Sequence, residues 1–255
     1  MTASVHQSDL DPVVHKIESI ATFRLSNEER DALLSLPMHA AMFEADQDIV
    51  TEGDRPTRAF AILSGFACTY KTTYAGKRQV MAYHVPGDVP DFQSLHLHVL
   101  DISISAVGPC RVGFVPHDAV RLLLSDHPRL TDTLWRATLI EAAIVREWML
   151  NNGRREAYPR LAHLFCELIT RLAAVELAID QSCHLPMTQS EIADALGITS
   201  VHVNRVLREM RAKGLITLQG HHLTVHDWEG LKKAAEFDPT YLHLGNRDAV
   251  RGQLN

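Results

Sequence analysis

The chain has 255 residues, a formal net charge of −6 and 22 % charged side chains, which leaves room for two domains of ordinary globular composition. It contains no apolar run long enough for a membrane span and no signal-peptide pattern at its start. Cys68, Cys110, Cys166 and Cys183 have neither CxxC spacing nor the density of a disulfide framework, so a reducing cytoplasm is the expected compartment.

The first element expected in chain order is a short helix through Leu36. It is opened by the capping box Ser26 and Glu29 and closed by Pro37. From Met42 to Val115 the rhythm changes to short β-type segments between glycine turns, with Gly53, Gly65, Gly76 and Gly87 falling 12, 11 and 11 residues apart. Strands are expected at Arg58–Leu63, Phe66–Tyr74, Lys77–Val85, Ile102–Val107 and Arg111–Val115. That spacing predicts an antiparallel roll rather than a parallel sheet.

Pro116 opens a helix through Leu124, and a longer one follows over Leu130–Leu150. Its Leu134, Ala137, Ile140, Ile144 and Trp148 recur at three- and four-residue steps. They are expected to form a parallel seam between two subunits, with Asn151-Asn152-Gly153 as a hinge. A further helix, about Arg155–Leu177, contributes Leu161, Leu164, Phe165, Leu168 and Leu172 to a second core.

The most informative stretch is Thr188–Leu207. Thr188 and Glu191 form a capping box, Gly197 can end that helix in the left-handed conformation, and Thr199 can cap another. Val203, Val206, Leu207 and Met210 make one apolar stripe on the second helix. Ser200, His202, Asn204, Arg205, Arg208 and Arg211 lie opposite. This is the pattern of a helix-turn-helix whose second helix enters the DNA major groove. Between Thr199 and Lys213 the local charge is +3 despite the acidic whole, and the local field governs phosphate contact. Leu215–Leu218 and His222–His226, turning at Gln219-Gly220-His221, predict the hairpin of a winged helix.

Roll, long helix, hinge and C-terminal winged helix in this order resemble the Crp/Fnr family of transcription regulators. The resemblance runs over roughly Leu33–His226 and is most specific at Gln189–Leu207, Val50-Thr51-Glu52-Gly53-Asp54 and Pro86-Gly87-Asp88. It implies an α+β protein with a cyclic-nucleotide-binding-like roll. It further implies a non-enzymatic homodimer, paired through Leu130–Leu150, that binds palindromic double-stranded DNA under the control of an effector, with RNA polymerase as a further partner. The implied division is a sensor roll with N-terminal helices over 1–127, a dimerisation helix and hinge over 128–152, a winged helix-turn-helix over 153–227 and an extension over 228–255. In that extension Trp228, Leu231 and Phe237 suggest a short packed helix.

Cyclic-nucleotide-binding members carry a Gly-Glu-Leu segment for the ribose and an Arg-Ser pair for the cyclic phosphate. The corresponding stretches here are Gly87-Asp88-Val89-Pro90-Asp91-Phe92-Gln93 and Asp101-Ile102-Ser103-Ile104-Ser105, and the arginine is absent. Without a cationic fork a buried phosphate loses its strongest contact, so cyclic AMP is not the expected effector. Iron-sulfur sensing needs an N-terminal thiolate cluster, and no cysteine precedes Cys68. A haem ligand at His84 or another roll histidine stays open, the effector is unidentified, and no cofactor or metal is assigned.

On the recognition helix the family's base-reading positions become Ser200, Val201 and Arg205. Arg205 can grip guanine, whereas Val201 favours an apolar contact such as a thymine methyl. His202, Asn204 and Arg208 are expected to mix base and phosphate contacts. Thr188, Gln189 and Ser190 on the first helix, and Gly220 and His221 on the wing, are expected to position the DNA backbone. A different class also fits part of the chain. His96-Leu97-His98 would put two imidazoles on one face of a strand with Asp101 close behind, as in a cupin-like metal sensor or enzyme. A third reading is a DNA-binding module whose roll serves only dimerisation.

Overall fold

The computed structural model of the chain describes residues 3–4 and 7–245; residues 246–255 of the extension lie outside the described residues. Two helices precede most of the sheet. The first, α1 (Asp11–Ile20), has no position in the sequence reading, which places only the second. It has Pro12 in its first turn and buries Val13, Val14, Ile17 and Ile20. The second, α2 (Asn27–Leu34), starts at the capping box: Glu29 N donates to Ser26 Oγ at 3.1 Å and Ser26 N to Glu29 Oε2 at 2.7 Å.

The roll is a six-stranded antiparallel sheet of β1 (Ala3–Ser4), β2 (His39–Phe43), β3 (Asp48–Val50), β4 (Arg58–Thr72), β5 (Arg78–His84) and β6 (Ser103–Pro116). The order is β1-β2-β6-β4-β5, with β3 also on β6. Four of the expected strands are two. β4 runs through Gly65, which reads as a turn in the sequence, β6 runs through the gap expected between Val107 and Arg111, and their register shifts between Ile62, Ser64 and Phe66. Gly65, at φ +78°, lets the pair bend at that point, and a Cβ there would lie 2.3 Å from Pro109 O. Bulged ladders bend and twist, which rolls the sheet around its core. Gly65→Ala is expected to cost about 1–3 kcal/mol from backbone conformation alone, with the clash added, read as a lower urea midpoint at unchanged m-value.

Inside the roll Val50, Phe60, Ile62, Leu100, Ile104 and Val112 form a closed apolar cluster. The segment His96-Leu97-His98 is not a strand. It follows a 3-10 turn at Phe92–Leu95 and is exposed, because the chain is turning back to Leu100, whose N–H donates to Asp54 O at 2.9 Å. The described residues hold no group of three metal-ligating side chains, so the pair does not make the site the cupin-like reading required.

Beyond the roll come α3 (His117–Asp126), α4 (Pro128–Arg154) and α5 (Ala157–Ala174). The 27 residues of α4 span about 40 Å at roughly 1.5 Å per residue. Two expectations about α4 need correction. Leu134, Ile140, Ile144 and Trp148 are buried within the chain, the last three in the same core as α5, so they do not form an intersubunit seam. A neighbouring stripe is the uncovered one: Trp135 is 68 %, Leu139 57 % and Met149 71 % exposed, with Val145 between them. Nor are Asn151, Asn152 and Gly153 a hinge. They are helical, Asn151 Nδ2 donates to Arg160 O at 3.2 Å, and Arg160 caps the carbonyls of Asn151, Arg155 and Leu196 at 3.1, 2.7 and 2.5 Å. The helix ends only at Arg155, in extended conformation.

The remaining elements are β7 (Ser182–His184), α6 (Gln189–Leu196), α7 (Ser200–Ala212), β8 (Ile216–Gln219), β9 (His222–Val225) and α8 (Trp228–Ala235). The wing has three strands, since β7 pairs antiparallel with β9 on the side away from β8. α8 and the turn after it close the core over α5 with Leu231, Phe237 and Leu242. That core is continuous with Val80 and Tyr83 of β5 and Val85 just after it. No helix among the described residues is long and apolar enough to cross a membrane.

Candidate nucleic-acid interface

Side-chain caps set both helices of the helix-turn-helix. Glu191 N donates to Thr188 Oγ1 at 3.2 Å while Thr188 N donates to Glu191 Oε2 at 2.6 Å, and His202 N donates to Thr199 Oγ1 at 3.2 Å. Each satisfies a backbone donor left over at a helix start. Between them Gly197 sits at φ 63°, left-handed, and its N–H closes the end of α6 on Ala193 O. Ile192, Ala193, Ala195 and Leu196 of α6 and Val203, Val206, Leu207 and Met210 of α7 are buried, the stripe expected from sequence.

The opposite face of α7 carries the candidate DNA contacts. Ser200, Val201, Arg205 and Arg208 are exposed, with Val201 at 80 %. Two contacts restrain this face. Arg205 Nη2 lies 2.7 Å from His202 Nε2, and Asn204 Nδ2 donates to Gln189 Oε1 at 3.1 Å, tying α7 to the start of α6. Thr188, Gln189 and Ser190 are exposed beside it, as are Gly220 and His221 at the wing tip. Of the basic residues on α7 and its end, Lys213 is already paired, its Nζ 2.8 Å from Glu209 Oε1 and 4.4 Å from the Tyr158 ring centroid.

Sequence reasoning missed how this unit is held. Its first helix is docked on the roll: Gln79 Nε2 donates to Asp194 O and Ala195 O at 3.0 and 3.2 Å, and Tyr83 Oη donates to Glu191 O at 2.9 Å. Asn152 Nδ2 adds a bond to Ala195 O at 3.0 Å. Behind it runs a buried charge network. Arg171, 3 % exposed on α5, donates to Asp88 Oδ2 at 2.7 Å, Glu167 Oε1 at 3.0 Å and Tyr83 O at 2.8 Å. Lys16 of α1 holds the other oxygen of Asp88 at 2.8 Å. Trp148 Nε1 of α4 and Tyr241 Oη after α8 both donate to Glu167. Burial pushes Asp88 upward, but Lys16 and then Arg171 outweigh it and hold the carboxyl well below its usual range. Only the Gly87-Asp88 turn in this network had a signal in the sequence.

His84 is buried with Nε2 2.7 Å from Thr69 Oγ1, and burial lowers its pKa to about 4, so the ring is neutral at pH 7. The four cysteines are buried and unpaired, on β4, β6, α5 and β7. Burial pushes the Cys110, Cys166 and Cys183 thiols up to about 12, the opposite of the depressed pKa that favours a metal-ligating thiolate.

The model for the cyclic nucleotide-binding domain matches residues 41–127 and that for the Crp-like helix-turn-helix domain matches residues 159–234. The anaerobic regulatory protein of Haemophilus influenzae is 26 % identical over 222 residues, covering 87 % of this chain and 86 % of that protein. The transcriptional activator protein FnrL of Cereibacter sphaeroides is 27 % identical over 220 residues, covering 84 % and 87 %. Among solved structures, FixK2 from Bradyrhizobium japonicum shares the fold with a TM-score of 0.70 and 24 % identity, over 78 % of this chain and 98 % of that one. An antiparallel roll and a capped helix-turn-helix, each matched by its own domain model and joined by a long helix, identify the chain as a member of the Crp/Fnr family of DNA-binding transcription regulators.

Proposed function

We propose that two copies of this chain bind a palindromic promoter site, each inserting α7 into the major groove, and that a small molecule other than cyclic AMP gates the binding. The observation that carries this reading is the polar face of α7: Ser200, Val201, Arg205 and Arg208 stand exposed while every apolar residue of the stripe behind them is buried. Dimer formation is supported by the bare apolar residues Trp135, Leu139, Val145 and Met149 on α4, an exposed apolar patch of the kind that marks a protein contact. Against cyclic AMP stands the stretch Asp101-Ile102-Ser103-Ile104-Ser105, which lacks the arginine of the Arg-Ser pair that holds the cyclic phosphate in cyclic-nucleotide-binding members.

Within this reading Arg205 reads guanine through its fork, Val201 meets a thymine methyl and Arg208 grips phosphate. His202 and Asn204 orient Arg205 and the helix start; Thr188, Gln189, Ser190, Gly220 and His221 hold the DNA backbone. Arg205→Ala is expected to cost about 1–3 kcal/mol at its own base pair and to relax specificity there. Arg208→Ala is expected to weaken all sequences alike and to reduce the salt slope by about one. Anisotropy titrations of a selected operator and its single-base variants across salt concentrations measure both. Parent-like curves for both variants would remove α7 from the interface.

A further inference from the structure

A partly enclosed hollow of about 70 Å³ lies where β5, the turn after it, α1, α4 and α5 converge. It is separate from the apolar cluster inside the roll. Ile17, Ile20, Leu134 and Ile144 give it apolar walls, and Lys16, Asp88, Glu141 and Arg171 line it as well. At roughly 30 Å³ per liquid water, the space suits two or three waters or an organic molecule of about five heavy atoms.

One buried polar atom of this lining is unmet and one half-buried carboxylate is unpaired. Arg171 Nε is buried without a hydrogen-bond partner, although both terminal nitrogens of the guanidinium are engaged. Glu141, half-buried on α4, makes no hydrogen bond or ion pair among the described residues. Lys16 and Arg171 are balanced against Asp88 and Glu167, so an ionised Glu141, with Asp91 behind it, leaves the surplus negative. A buried charge is costly unless paired. A cation meets that surplus and an anion adds to it. The Arg171 Nε–H asks in addition for an oxygen acceptor.

We propose that this hollow is the effector site and that it takes a small organic ammonium with a neighbouring hydroxyl or ether oxygen on a short apolar body. The ammonium pairs with Glu141 and the oxygen accepts from Arg171 Nε. The proposal rests on the reading of the chain as an effector-gated regulator and names the ligand class. The walls come from the roll, from α4 and from α5, which leads into the DNA-binding unit, so a ligand here binds differently when those parts separate. Such differential binding is what coupling requires.

Burial, then Asp88, raises the Glu141 carboxyl to about 7 against the pull of Arg171 and Lys16. Pairing with an ammonium needs the ionised form, so affinity rises between pH 6 and 8. The groups facing Glu141 are Lys16 from α1, His84, Asp88 and Asp91 from the roll, and Arg171 from α5. His84 stays neutral and Asp88 ionised over that range. Asp91, which burial raises to about 7, ionises over the same range and adds to the rise, since a cation favours the ionised form of both carboxyls. Asp91→Asn therefore makes it shallower.

The test is NMR titration of the full chain with 1-amino-2-propanol up to 10 mM, against 1,2-propanediol and lactate, which share its skeleton. We expect saturable shifts of the Arg171 Nε–H and Trp148 indole signals, at least tenfold weaker binding of the diol and none of lactate. Glu141→Gln, or Ala137→Leu filling the hollow from α4, should weaken the amine at least tenfold. Unsaturated shifts, equal binding of diol or lactate, or an unchanged Glu141→Gln affinity would overturn the site. Operator titration with and without the amine separates the two claims. A parent protein that binds no operator sinks the regulator reading and leaves the site standing, whereas saturable amine binding with unchanged operator affinity refutes the effector role.

Discussion

Replacing Arg171 with methionine is expected to lower the unfolding free energy by about 3–5 kcal/mol, because it leaves Asp88 and Glu167 buried without their cation. All three residues are buried, and among the described residues the guanidinium is the group that reaches from α5 to the roll carboxylate. At roughly 2–4 °C per kcal/mol for a chain of this size, the melting midpoint should fall by about 10 °C. The loss is expected to be smaller when the acids are neutralised too, as in Arg171→Met with Asp88→Asn and Glu167→Gln, since no charge is then stranded. Thermal and urea unfolding of both variants measures this. An Arg171→Met chain as stable as the parent would mean that the network does not hold roll and DNA-binding unit together.

The second large effect is expected at the bare stripe of α4. Leu139→Glu places a carboxylate at its centre, and in a twofold pair the symmetry sets that charge near its own copy, where a buried like-charge contact costs several kcal/mol. Dimer dissociation should rise by at least a thousandfold, and operator affinity should fall by at least a hundredfold because one recognition helix alone lacks the paired half-site. Since Leu139 is 57 % exposed in the single chain, monomer stability should be little changed. Sedimentation velocity and anisotropy read the two quantities. A variant that remains dimeric and DNA-bound would move the seam away from α4.

How much of this was legible in the sequence depended on the range of the forces involved. The helix-turn-helix was readable because Thr188, Glu191, Gly197 and Thr199 act within three or four residues of themselves. Helix α1 carries a local signal of the same kind, with Val13, Val14, Ile17 and Ile20 at helical steps after Pro12. The three-residue β7 is too short to show a period. The bends of β4 and β6 were hidden because a glycine that continues a bulged strand and one that ends it look alike until the partner strand is known. On α4 two apolar stripes lie side by side, and periodicity cannot tell which one faces the chain's own roll. The link from Arg171 to Asp88 spans 83 positions. Nothing local marks either residue as the partner of the other, so the buried network and the hollow beside it were beyond a sequence reading.

The most direct test of the central claim, that two copies of α7 read DNA together, is selection of bound fragments by the purified parent chain followed by footprinting. The account predicts one enriched inverted repeat whose half-site centres lie about 10 base pairs, or a multiple of that turn, apart, with both halves protected at the same protein concentration. Selection that enriches no sequence, or a lone half-site protected as strongly as the repeat, would contradict it.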